Sequence, residues 1–371
     1  MKKKLLSLFI TLSLVLSLTA CGQKNTVENT ETTAESEQVI TEENNTTEAV
    51  SEEDSITEES ASDALTTQYP VTVTDQAGRE VTIKSEPQKL VSGYYISTSL
   101  LISLELDDKL VGIEAKADKR AIYKLSAPEL IDLPNVGTAK EFDLEGCIAL
   151  EPDLVILPLK LKNTAESLEK LNIDVLYVNP ENQELLTEMM TLIGTATNTQ
   201  EKTNELMNFV TKQEDALANA LANADAPSVY LAGNSSMLST AGSAMYQSNM
   251  ITLAGGQNVA ADITDTYWVE IDYEQLLTWN PEYIILASDA DYTVDDVLAD
   301  PNLAECSAVK NGNVYQMPSK AESWDSPVPS GILGSVWLAT ILHEDLFSAD
   351  TASAIIDEYY ETFYDFKYSE K

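Results

Sequence analysis

Two glutamates, Glu145 and Glu274, hold matching places in a segment that the chain writes twice at an offset of 129 residues. One copy runs from Leu144-Glu145-Gly146-Cys147 through Glu151-Pro152-Asp153 into Leu154-Val155-Ile156-Leu157. The other runs from Tyr273-Glu274-Gln275-Leu276 through Asn280-Pro281-Glu282 into Tyr283-Ile284-Ile285-Leu286. Each acid opens a short helical pattern, where a carboxylate is favoured by the unpaired N–H groups of the first turn, a contribution of ~0.3–1 kcal/mol. The alternative is that they are matched negative knobs, one on each of two similar units, facing a two-fold symmetric partner. Other groups offer little catalytic chemistry. Glu322 and Asp325 could act as a paired acid and base, but no nucleophile–histidine–acid set accompanies them. His343, the single histidine, lies in the apolar stretch 338–346 and reads as a packed or helix-end residue. Of three cysteines, Cys147 and Cys306 fall in different halves of the chain and read as buried free thiols. Without a histidine–cysteine cluster, no metal site and no catalytic residue is assigned.

The elements around the doubled acids follow a common plan. A proline closes each short helix by removing an N–H donor, and the apolar run after it has no alternation, as in a parallel strand covered on both faces. Strands are predicted at 71–74, 80–83, 89–92, 110–113, 154–157, 175–177, 228–232, 283–287 and 314–317. The first two flank the turn Asp75-Gln76-Ala77-Gly78. Helices are predicted from about 97, over 332–342 and over 351–363. A stretch free of Gly and Pro over about 199–224 predicts one long helix of roughly 39 Å at 1.5 Å per residue. Strands alternating with helices imply parallel sheets, with ligand loops at the strand C-terminal ends.

At the N-terminus, Lys2, Lys3 and Lys4 precede an apolar run that is too short to span a bilayer, and Leu18-Thr19-Ala20-Cys21 ends it. The segment resembles a bacterial lipoprotein signal, with Cys21 as the lipidated residue. Residues 22–66 carry thirteen acids against one base, Lys24, so like-charge repulsion keeps them extended as a tether. The formal net charge of −39 and a total of two arginines, Arg79 and Arg120, argue against nucleic acid and anionic membrane surfaces as partners. The organisation read from sequence is a signal peptide at 1–20, tether at 21–66, first lobe at 67–198, connecting helix at 199–225 and second lobe at 226–371.

From about Tyr69 to Phe366 the chain resembles the substrate-binding lipoproteins of bacterial ABC importers that carry ferric siderophores, haem and cobalamin. The resemblance rests on the segment from Val71 to Ile83, the doubled acid segments, Ala254-Gly255-Gly256-Gln257-Asn258 and Glu322-Ser323-Trp324-Asp325 followed by Leu333-Gly334. It implies an α/β fold of two similar lobes with mainly parallel sheets, joined by one long α-helix, with the ligand cleft between them. It implies a monomeric binding protein rather than an enzyme, with no cofactor of its own. Its ligand would be an iron complex or tetrapyrrole, delivered to an ABC permease dimer from the outer face of the cell membrane. Ligand contacts are expected from Tyr94, Tyr95, Arg120, Lys160, Met237, Tyr246, Trp268 and Trp324, and permease docking from Glu145 and Glu274. The scarcity of arginine departs from a strongly anion-binding siderophore pocket and leaves a molybdate or tungstate receptor of the same fold as the alternative. A surface enzyme would need the nucleophile–histidine–acid set that the chain does not offer, and an adhesin would explain the tether but not the duplication.

Overall fold

The structure is a computed structural model that describes residues 66–264 and 266–371. The signal peptide, Cys21 and nearly all of the tether lie outside the described residues. The chain enters through a hairpin, β1 (Val71–Thr74) and β2 (Glu80–Ile83), turned at Gly78 with φ 75°. Asp75 anchors it. Its carboxylate accepts from the amides of Ala77, Arg79 and Tyr177, and Arg79 pairs with it at 2.6 Å while also pairing with Glu169. Arg79 is thereby consumed by structure.

The first lobe is a four-stranded parallel sheet in the order β4-β3-β5-β6, formed by β3 (Leu90–Ser92), β4 (Leu110–Ile113), β5 (Leu154–Pro158) and β6 (Asp174–Val178). Helix α1 (Tyr95–Ser103) follows β3, and α2 (Leu144–Ala149) precedes β5. Next come α3 (Gln183–Thr197) and α4 (Gln200–Ala220), separated by Asn198 in the left-handed region at φ 60°. The second lobe contains β7 (Ser228–Ala232), β8 (Ser239–Ala241), α5 (Tyr246–Leu253), β9 (Gln257–Asn258), β10 (Trp268–Glu270), α6 (Tyr273–Trp279), β11 (Tyr283–Leu286) and β12 (Val314–Gln316). Its sheet runs β10-β8-β7-β11-β12, with β9 also on β7. The β7, β9, β11 and β12 strands are parallel, whereas β8 and β10 are antiparallel additions with no counterpart in the first sheet. The chain ends in α7 (Ile332–Leu342) and α8 (Ala349–Tyr364).

The doubled segment is a doubled structure. Asp143 and Asp272, one residue before α2 and α6, each cap the helix by accepting from the amide three residues on. Cys147 and Leu276 are both fully buried. Glu151 and Asn280 both take positive φ, 50° and 45°, immediately before the prolines. The acid after each proline then ties the neighbouring strand: Asp153 accepts from Gln88 and Lys89 amides, and Glu282 from the Ser228 amide. Three parallel strands thus occur in equivalent order, β3-β5-β6 and β7-β11-β12.

Helix α4 is the long connector, but it ends at Ala220, about five residues earlier than expected, and spans roughly 32 Å. Its buried positions Leu206, Phe209, Val210, Gln213 and Leu217 form one face at helical spacing. One apolar cluster runs through residues of both lobes beneath α1, α4, α7 and α8, while separate clusters cover the other face of each sheet. Cys147 and Cys306 lie one in each of these outer clusters as free, buried thiols.

Candidate functional site

The cleft is built where strands end. From β3 the chain turns at Gly93 into Tyr94 and Tyr95, whose rings meet edge-on at 5.3 Å. From β6 it reaches Glu181, and from β7 the loop Asn234-Ser235-Ser236. Together with Trp268 and Glu270 of β10 and Asp325-Ser326-Pro327, these line an open compartment of about 480 Å³. Trp268 is 41 % exposed and Tyr267, beside it, 46 %. The open face of Trp268 in the cleft lining is poised for a ligand with a flat or apolar side.

A smaller compartment of about 300 Å³ adjoins it, sharing Tyr95 and Ser326 and lined further by Lys119, Arg120, Tyr123, Asp289 and Glu322. Arg120 stacks over Tyr95, its guanidinium carbon 4.1 Å from the ring centre. Its buried Nε has no hydrogen-bond partner among the described residues. Glu114, behind it, accepts from Thr98 Oγ1 and the Tyr123 hydroxyl, both at 2.7 Å. Burial raises the pKa of Glu114, and those two donors and Arg120 pull it back. Burial likewise raises the Tyr94 hydroxyl far above its usual range, which keeps it a neutral donor.

A larger open groove of about 770 Å³ follows α3 and α4 past Ser243-Ala244-Met245. It has Glu184, Glu188 and Glu214 but no aromatic wall and no cation, so it lacks the mixed donors and stacking faces of a solute site.

Of the expected ligand residues, Tyr94, Tyr95, Arg120 and Trp268 come together here. Four do not. Trp324 is 1 % exposed, its indole donates to the Tyr360 hydroxyl at 2.9 Å and its ring packs on Tyr368; it is a core residue, because a buried indole N–H needs the partner that α8 supplies. Tyr246 is 3 % exposed in the shared core at the start of α5. Met237 packs against the outer cluster of the second lobe, and its carbonyl accepts from Tyr230. Lys160 is exposed after β5 and lines neither compartment. Sequence reasoning missed Glu181, Glu270 and Ser326 as cleft residues. The Asn179-Pro180 turn after β6 marked Glu181 as a strand-end residue, whereas Glu270 rides on a three-residue strand without a clear pattern. Glu145 and Glu274 are exposed, each the second residue of its helix. His343 caps α7, its Nε2 3.2 Å from the Gly255 carbonyl. Among the described residues, no cluster of His, Cys, Asp and Glu could hold a metal ion, and no helix is long and apolar enough to cross a membrane.

Two α/β lobes with a ligand-sized cleft at the strand ends define a solute-binding protein of the ABC-transporter type. The family model described as periplasmic binding protein matches residues 90–321, and the chain belongs to that family. It is 26 % identical over 319 residues to the molybdate-binding protein MolA of Haemophilus influenzae, covering 79 % of this chain and 90 % of that protein. The structure of MolA bound to molybdate superposes with a TM-score of 0.70 at 25 % identity, over 80 % of this chain and 99 % of MolA. An uncharacterized ABC transporter substrate-binding lipoprotein of Bacillus subtilis, YvrC, is 27 % identical over 68 % of this chain and 79 % of its own length. The vitamin B12-binding protein of Salmonella typhi is 28 % identical over 45 % of this chain and 64 % of its own.

Proposed function

We propose that the chain is a monomeric, lipid-anchored receptor, attached through Cys21, that captures a metal complex and passes it to an ABC permease dimer. The ligand class is a ferric siderophore, haem or cobalamin, seated between Tyr94 and Tyr95 on one lobe and Trp268 on the other. The observation that carries this reading is the pairing of aromatic walls with Glu181 and Glu270 across a compartment of about 480 Å³. Exposed aromatic faces gain by covering an apolar ligand surface. Two carboxylates beside them repel a small dianion and tolerate a complex of low net charge. A bare tetrahedral oxoanion would leave most of this volume empty. Glu145 and Glu274, each displayed by the same capped turn, serve in this reading as the two docking points for the permease dimer. The tether at 21–66 gives the lobes reach from the membrane.

Molybdate or tungstate is the second reading, favoured by the likeness to MolA. Intrinsic tryptophan fluorescence titrated with cyanocobalamin, haemin, a ferric siderophore panel and molybdate separates the two. Saturable quenching by a metal complex, reduced in amplitude in Trp268→Phe, is the expected result. Saturation by molybdate alone would replace the first reading with the second.

A further inference from the structure

The loop between β12 and α7 lines both compartments, and several of its polar side chains are held by partners in the protein. Asp325 is held by the Ser288 amide at 3.0 Å and the Ser288 hydroxyl at 2.6 Å, and its carbonyl accepts from Gln247. Trp324 is fixed to Tyr360. Glu322, 8 % exposed, reaches furthest. Its Oε1 accepts from Ser99 Oγ on α1 of the first lobe, and its Oε2 from Ser330 Oγ on its own loop, both at 2.6 Å. Ser99 Oγ also lies 2.9 Å from the Tyr364 hydroxyl at the end of α8, and that hydroxyl donates to the Ser99 carbonyl. All four residues are buried.

We infer that Glu322 is a positioning residue that adds a polar tie between the lobes to α4 and the shared apolar cluster, and sets the angle at which the cleft walls face each other. The tie has a specific geometry. Helix α1 begins at Tyr95, just after Tyr94, and Ser99 lies one turn further along it. The loop that carries Glu322 places Ser326 between the two compartments a few residues later. One carboxylate thus registers the aromatic wall of the first lobe against the lining loop of the second. A buried carboxylate accepting two hydroxyls is costly to leave unmatched, because each orphaned donor then loses water without a replacement. The inference rests on the cleft reading only for its consequence for ligand capture; the tie itself is independent of which solute binds.

Hydrogen–deuterium exchange of the full chain without ligand tests it. Glu322→Ala and the milder Ser99→Ala should each speed exchange about tenfold in α1 and in the last turns of α8, the size expected for losing one or two buried hydrogen bonds. Ser330→Ala, which leaves the Glu322–Ser99 contact in place, should speed the loop and spare α1. Glu322→Gln, which keeps the shape and one acceptor oxygen, should restore most of the protection in α1. Exchange that rises in Glu322→Ala only within residues 317–331, or a silent Ser99→Ala, would overturn the tie. Either outcome leaves the cleft and its ligand class as they stand, while failure of every metal complex to bind leaves the exchange pattern untouched.

Discussion

Removing the Trp268 side chain is the perturbation with the most direct arithmetic. A tryptophan offers up to ~250 Å² to a partner, and 41 % of Trp268 is open to solvent, so about 100 Å² is free for a ligand to cover. At ~25 cal/mol per Å² that is about 2.5 kcal/mol at full coverage, or roughly seventyfold in affinity. A ligand that covers half of it gains roughly tenfold. Trp268→Ala should therefore weaken binding of the metal complex by ten- to seventyfold, while the thermal midpoint also falls by several degrees, because the covered part of the ring is lost with the open part. Equilibrium dialysis with the best ligand of the fluorescence panel, alongside calorimetry of unfolding, reads both quantities. Affinity within twofold of the parent protein would refute the aromatic wall as a source of binding energy.

Trp324→Ala should act chiefly on the fold, costing about 3–5 kcal/mol of stability through a core cavity and an unpaired Tyr360 hydroxyl, as read by denaturant unfolding. Cys21→Ala should abolish incorporation of a fatty-acid analogue in cells and leave ligand affinity of the lobes unchanged. Glu145→Ala with Glu274→Ala should sharply slow uptake in cells while ligand affinity of the purified protein stays within twofold. Burial raises the pKa of Glu322 despite its serine donors and Arg120, and Tyr95, Tyr359, Tyr360 and Tyr364 face the same carboxylate. The folded state therefore takes up this proton more readily than the unfolded chain. Its contribution is complete below the ordinary carboxylate range and is lost as pH rises through the raised value. The parent protein should accordingly gain thermal stability relative to Glu322→Gln as pH falls from about 8 to about 5, and parallel midpoint curves would contradict this.

The duplication made the fold legible. Glu-to-proline-to-acid segments at a fixed offset predicted two equivalent helix–strand units, and the caps at Asp143 and Asp272 with the left-handed Glu151 and Asn280 reproduce the match atom by atom. The strands at 110–113 and 228–232 and the helix at 332–342 fall where apolar pattern and β-branched residues placed them. The short strands β8, β9 and β10 were invisible, since two or three residues carry no period and depend on pairing with β7 or with each other. The site was half legible. Strand-end position located Tyr94, Tyr95, Arg120 and Trp268, but residue type alone cannot tell a wall aromatic from a core aromatic. Trp324 and Tyr246 are immediate chain neighbours of cleft residues and face inward, a direction fixed by α8 and α5 packing rather than by any local signal. The value of Arg120 was legible only from scarcity; the structure adds that Arg79 is spent on Asp75 and Glu169.

Calorimetric titration of the purified protein over a range of temperatures tests the account most directly, because burying aromatic and ligand surface together gives a negative heat-capacity change. The expected result is one-to-one binding of a ferric siderophore, haem or cobalamin with a clearly negative heat-capacity change that shrinks in Trp268→Ala. One-to-one heat from molybdate or tungstate alone, with a heat-capacity change near zero and no effect of Trp268→Ala, would contradict it.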